Sequence, residues 1–223
     1  CIRDNIGPLP HVIIRNKKST TINLEHQQLG DKVGLNLGAA VAGIPALQHL
    51  SLEGNRLSDI SMPSIVAALS GCPDLISLNL SKNKVDSKTA HALSEYLKSD
   101  GAHTLRNLIL RGADVDDAEC CNWVEAIGVL NKVQRLDLSS NLIGASELMI
   151  LPGTDPDGRQ QQTGAQSIAN LLLRTNCSVS TLKLAWNRIS GKSVNALSSA
   201  LPTNTSLTHL DLSYNGMGKQ AEM

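Results

Sequence analysis

Apolar side chains recur along this chain in a fixed frame. From Leu47 they take the first, fourth, sixth and eleventh positions (Leu47, Leu50, Leu52, Leu57), with Asn55 at the ninth. The same frame reads Leu75, Leu78, Leu80, Asn83, Val85 and then Leu105, Leu108, Leu110, Ala113, Val115. It returns as Val133, Leu136, Leu138, Asn141, Ile143, as Val179, Leu182, Leu184, Asn187, Ile189, and as Leu207, Leu210, Leu212, Asn215, Met217. A weaker copy begins at Ser19, with Ile22, Leu24, Gln27 and Leu29. The seven frames start at 19, 47, 75, 105, 133, 179 and 207, a step of 28 residues interrupted by one of 30 and one of 46.

Alternation at the start of each frame predicts a short strand, and apolar spacing after the Asn predicts a helix. Leu37, Ile65, Ala169 and Leu197 lie ten residues before the next frame, with Val41, Leu69, Leu173 and Leu201 four further on. Trp123 holds the same place ahead of Val133 and is expected in the core. A strand–helix unit with two apolar faces buries neither alone, so neighbours must stack. The predicted fold is an α/β solenoid of about seven repeats. A parallel sheet lines the concave face, and wider helices line the convex face, giving a horseshoe.

An Asn where the chain leaves each strand can donate to and accept from backbone groups of adjoining turns. Ala113 loses that capacity, at a cost of about 1 to 3 kcal/mol where water does not substitute. It is read as a tolerated flaw, ahead of a local change in curvature. The 46-residue step carries an insertion near 146–162, rich in Pro, Gly, Asp and Gln. This is loop chemistry, read as an inert insertion ahead of a partner-binding arm. Asp155-Pro-Asp157-Gly158 lacks the further acidic ligands of a calcium loop.

The 28-residue period, the Asn at the ninth position and a full helix per turn resemble the ribonuclease-inhibitor-like leucine-rich-repeat family over about residues 19 to 218. The division is then 1–18 as a lead-in or the end of a preceding repeat, and 19–223 as the repeat domain. Neither end carries a readable cap, so the chain is expected to be a fragment of a longer protein. The resemblance implies a non-enzymatic scaffold or recognition module that holds a protein on its concave face. The same family includes the Ran GTPase-activating protein and the sensing arms of nucleotide-binding immune receptors, and these stand as the alternatives.

Composition narrows this further. Twenty basic residues balance twenty acidic ones, which offers no general attraction to nucleic acid or to an anionic membrane. No apolar run approaches the roughly 18 residues of a membrane span. The five cysteines, Cys1, Cys72, Cys120, Cys121 and Cys177, are odd in number and lack CxxC spacing, which favours free thiols in a reducing, cytoplasmic setting. Triplets of glycosylation type at Asn79, Asn176 and Asn204 are near chance frequency in so Asn- and Ser-rich a chain. No motif for a catalytic nucleophile, phosphate loop or zinc site is present, so no catalytic, metal or cofactor-binding residue is expected. The protein is expected to act as a monomer or as part of a larger chain.

Strand alternation sends the third, fifth, seventh and eighth positions of each frame toward solvent on the concave side. Only 2% of the chain is aromatic, yet Trp186 and Tyr214 share the eighth position of consecutive frames. They are read either as interface anchors, as in ribonuclease-inhibitor-like proteins with aromatics at these strand exits, or as shields over neighbouring Asn turns. Arg111, Arg135, Asp137, Lys183, His209 and Asp211 complete the candidate partner-binding set as a polar rim.

Overall fold

The computed structural model describes residues 18–130, 132–146 and 162–216. The lead-in 1–17, most of the insertion, its Asp155–Gly158 stretch, and the Met217 position lie outside the described residues. Seven three-residue strands alternate with helices: β1 Thr21–Asn23, α1 Gly30–Ala42, β2 His49–Ser51, α2 Met62–Ala68, β3 Ser77–Asn79, α3 Ser87–Lys98 and β4 Asn107–Ile109. They continue as α4 Asp117–Leu130, β5 Arg135–Asp137, α5 Gly164–Leu172, β6 Thr181–Lys183, α6 Gly191–Ala200 and β7 His209–Asp211.

The strands form one parallel sheet in chain order, β1 to β7. Its register joins frame to frame, so that Ile22, Leu50, Leu78, Leu108, Leu136, Leu182 and Leu210 form one row. Strands pack at about 4.8 Å and helices at roughly 8–10 Å. Stacking the two in one repeat therefore bends the sheet inward, and its inner face becomes the concave wall.

The core fills from Leu, Ile, Val and Ala, and Trp123 is wholly buried within it, as its frame position predicts. Leu37, Ile65, Ala169 and Leu197 are all buried, as are Val41 and Leu69. Leu173 departs from expectation and is half exposed. In this turn Ile168, Ala169, Leu171 and Leu172 supply the buried face, whereas Leu69, which likewise lies one residue past its helix, is itself buried.

The ninth-position Asn acts as a staple between turns. Its Nδ2 donates to the sixth-position carbonyl of the preceding turn, at 2.7 Å from Asn55 to Leu24 and 2.8 Å from Asn83 to Leu52. It also donates to the same carbonyl of its own turn, 2.8 Å from Asn55 to Leu52. Oδ1 accepts N–H groups of the preceding turn, as Asn141 does from Ala113 at 2.9 Å and Val115 at 3.1 Å. The Leu52, Leu138 and Leu184 carbonyls, which lie between two such Asn residues, are thus served twice. Where Ala113 interrupts the row, Leu80 keeps Asn83 Nδ2 at 3.1 Å and Leu110 keeps Asn141 Nδ2 at 2.8 Å. The Val85 N–H turns instead to the Ala113 carbonyl at 3.0 Å. Redundancy explains why the chain tolerates this position.

A second row of staples, not anticipated from the sequence, stands at the thirteenth position. Asp31 accepts the Ser58 N–H and the Ser58 and Ser61 hydroxyls of the next turn at 2.9, 2.8 and 2.6 Å. Asp59 does the same for Lys88 N–H and for Thr89 N–H and Oγ1 at 2.9, 3.0 and 2.5 Å. Burial raises both acids, but these hydrogen bonds outweigh it and leave both below the usual carboxylate range.

Asp117 closes the insertion. Its Oδ1 accepts the N–H of Gly144 and of Gly164, each at 2.7 Å, and its Oδ2 accepts that of Ser146 at 2.9 Å. The chain therefore leaves and rejoins the solenoid at one buried carboxylate. Gly164 sits so close that a Cβ there would stand 2.8 Å from the Cβ of Cys120.

Candidate functional site

Of the third, fifth, seventh and eighth positions expected to face solvent, the seventh departs in three turns, where Ser81, Ser139 and Ala185 are buried, and each position has its own local geometry. Fifth-position Asn and Asp side chains turn back onto the chain two residues on. Asn79 Oδ1 accepts Ser81 N–H at 3.1 Å, Asp137 accepts Ser139 N–H at 3.2 Å, and Asp211 accepts Ser213 N–H at 3.0 Å and its hydroxyl at 2.7 Å. These are Asx turns that set the strand exit. Asp137 and Asp211 thus already have a structural role within the chain, and Asp137 is buried. The Ser213 hydroxyl and N–H, aided by Lys183, hold Asp211 below the usual carboxylate range.

The eighth position is left-handed in every turn: His26, Gly54, Lys82, Gly112, Ser140, Trp186 and Tyr214 have φ between 53° and 67°. A side chain in that region costs roughly 1–2 kcal/mol relative to right-handed backbone, a penalty glycine avoids. Gly54 and Gly112 accept this geometry freely. Trp186 and Tyr214 place the two bulkiest aromatic types there and expose them by 57% and 68%. Their rings lie 4.1 Å apart at 12°, a stack that the strand spacing brings into register. The remaining aromatics, Trp123 and Tyr96, are buried.

The two halves of the wall differ in how their charges are used. Toward the first turns, Glu53 takes Lys82 Nζ at 2.7 Å, His26 Nε2 at 3.5 Å and Asn79 Nδ2 at 3.1 Å. The Lys82 hydrogen bond, against the opposing effect of burial, holds Glu53 low. Glu25 is likewise engaged, accepting the Ser51 hydroxyl at 2.6 Å. In the later turns Arg111 is exposed, and Arg135 and Lys183 are half-buried. Among the described residues none of these three cations has a carboxylate oxygen within 4.0 Å. Arg135 Nε is buried without a hydrogen-bond partner. His209 is exposed, with Nδ1 2.9 Å from the Thr208 hydroxyl.

The convex side offers a cleft of about 290 Å³ between α4 and α5, lined by Cys121, Glu125, Asn170 and Arg174 among others. Cys121 accepts the Ser167 hydroxyl at 2.9 Å, and burial pushes its thiol, like that of Cys120, upward in pKa. Neither thiol is activated. Cys72, Cys120, Cys121 and Cys177 are all free. Among the described residues no helix is long and apolar enough to cross a membrane, and no cluster of potential metal ligands occurs.

A Leucine Rich Repeat model matches residues 46–67, and a second Leucine Rich repeat model matches 175–198 and 203–220. No curated protein matches the sequence. Among solved structures, an internalin from Listeria monocytogenes is 18% identical with a TM-score of 0.46, over 80% of this chain and 45% of that one. A plant peptide hormone receptor, RGFR1 in complex with RGF2, is 16% identical with a TM-score of 0.38, over 79% and 26%. This chain therefore spans less than half the length of either. The repeat matches and the ordered parallel sheet with its alternating helices make the chain an α/β leucine-rich-repeat solenoid.

Proposed function

We propose that this solenoid is a non-enzymatic protein-interaction module of the ribonuclease-inhibitor-like class, acting in a reducing compartment and holding a protein partner on its concave face. The 28-residue step and the 12- to 14-residue helices α1, α3 and α4 support the class. The observation that carries the functional reading is the Trp186–Tyr214 stack: two exposed aromatics kept at backbone positions where glycine is the unstrained choice. Packing does not account for them, because more than half of each residue faces solvent. Large, rigid, exposed aromatics are the common energetic centres of protein interfaces.

The test is affinity capture by the chain, by a Trp186→Ala, Tyr214→Ala double variant, and by a convex-side control, Glu125→Ala, Asn170→Ala. Circular dichroism verifies the fold of each. A protein retained by the chain and the control but lost from the double variant is the expected result. With that protein in hand, Trp186→Ala is expected to cost about 2 kcal/mol or more in binding. Identical capture by all three would remove the aromatic pair from any binding role.

A further inference from the structure

Resting on the concave-face reading above, we propose that the surface of β4 to β7 and their exit turns receives an acidic segment of the partner. Its carboxylates meet Arg111, Arg135 and Lys183, and an apolar side chain lies against the Trp186–Tyr214 stack.

The argument is the contrast between the two halves of one wall. In the first three turns Glu53 is bonded to Lys82 and approached by His26, and Glu25 is bonded to Ser51, so charge there is largely spent within the chain. In the fourth, fifth and sixth turns the reverse holds. Arg111, Arg135 and Lys183 occupy consecutive turns with no carboxylate within 4.0 Å among the described residues. Asp137 and Asp211 flank Lys183 in register and attract it without reaching contact distance, and each spends an oxygen on its own exit turn, on Ser139 and Ser213, so Arg111 and Arg135 carry most of the unanswered charge. Arg135 carries the sharpest mismatch, since its Nε is out of solvent and bonded to nothing. A partner carboxylate can pair with the part of this half-buried side chain that faces solvent.

The stack lies at the end of the same surface. Strands about 4.8 Å apart spread the fourth to seventh turns over about 15 Å, the reach of four or five extended residues. One short segment can therefore touch the cations and the rings together. A protein segment fits better than a nucleic acid strand. Asp137 and Asp211 flank Lys183 in register and oppose a continuous row of phosphates, whereas a peptide can space its carboxylates and set uncharged residues opposite the two aspartates. The rings, already stacked at 4.1 Å, leave no slot for a base between them.

The test is panning of phage-displayed random dodecapeptides on the 223-residue chain, followed by anisotropy titration of the enriched peptides and of labelled oligo-thymidylate at low and physiological salt. Enriched peptides are expected to be acidic with an aromatic or aliphatic residue. They should bind about tenfold more weakly to an Arg111→Glu, Lys183→Glu variant, with a flatter salt dependence, and be lost on Trp186→Ala, Tyr214→Ala. Peptides that need the aromatic pair but are neutral or basic, or that ignore the charge reversal, would overturn the acidic assignment and leave the concave-face reading standing. Peptides indifferent to both variants would overturn both. Oligo-thymidylate binding as tightly as the best peptide, or a failure to enrich any peptide, would also overturn the acidic-segment proposal.

Discussion

Replacing Asp117 by Ala isolates the staple that closes the insertion. The carboxylate accepts three backbone N–H groups, from Gly144 and Gly164 at 2.7 Å and from Ser146 at 2.9 Å. Gly144 and Gly164 are buried, so no solvent stands ready to replace the lost acceptor. An orphaned buried donor costs about 1–3 kcal/mol. Two such groups and one partly buried group amount to about 3–5 kcal/mol, reduced somewhat because burying the carboxylate itself is unfavourable. Asp31→Ala is the control: of its three donors only the Ser61 hydroxyl is fully buried, while the Ser58 N–H and hydroxyl belong to a half-buried residue that water can reach, so about 1–2 kcal/mol is expected. Urea unfolding followed by circular dichroism measures the difference, and hydrogen exchange at 144–146 and 164–168 localises it. A midpoint for Asp117→Ala no lower than that for Asp31→Ala would refute the reasoning, as would faster exchange spread evenly over all turns.

Two other substitutions test the ladders and the acids. Ala113→Asn restores donors toward the Leu80 and Leu110 carbonyls and is expected to stabilise by about 1 kcal/mol in the same unfolding assay; a loss of stability would mean the turn has closed around the methyl group. Glu119 sits at the start of α4, where its carboxylate accepts Asp116 N–H at 3.2 Å while Asp116 accepts Glu119 N–H at 3.2 Å, a reciprocal capping box. Burial, with the adjacent Asp116, pushes Glu119 up to about 7. Because the folded chain holds this proton more tightly than the unfolded one, the contribution is complete below about pH 4.5 and is lost as pH rises toward about 7. Glu119→Gln keeps the acceptor without the charge, so it should flatten stability against pH in that window and raise the melting temperature at pH 8. An unchanged profile would sink this assignment.

The frame of leucines and asparagines was legible because each position repeats a chemical demand: an inward side chain at the fourth and sixth, an amide at the ninth. Trp123 was readable as core for the same reason. Leu173 was not: it keeps the spacing of the buried Leu69, each one residue past its helix, but Leu171 and Leu172 fill the core in its place, a choice periodicity does not encode. The aspartate row at 31, 59 and 117 left a signal, the same letter at the thirteenth position of three frames, visible only when the frames are aligned past the Asn. The left-handed eighth position left almost none. Only Gly54 and Gly112 hint at it, and His, Lys, Ser, Trp and Tyr conceal a backbone state common to all seven turns. That Trp186 and Tyr214 share one strand-exit position was readable, but their exposure and direct stack depend on strand spacing and shared backbone geometry.

These rows divide the labour of the repeat. The fifth, ninth and thirteenth positions satisfy backbone groups through short polar side chains, the fourth and sixth fill the core, and the seventh is small and buried in three turns (Ser81, Ser139, Ala185), so the fold makes least demand on the third and eighth. A side chain at those remaining positions is free to vary as long as it tolerates solvent and, at the eighth, a left-handed backbone. Trp and Tyr are poor choices on both counts, and Arg135 at a third position leaves a buried donor unmatched. Two exposed rings that shield only each other and a guanidinium nitrogen without a partner thus fall in consecutive turns on one surface. A partner that covers the rings and pairs with the outward part of the Arg135 side chain answers features of three turns at once, whereas no rearrangement confined to a single turn reaches more than one.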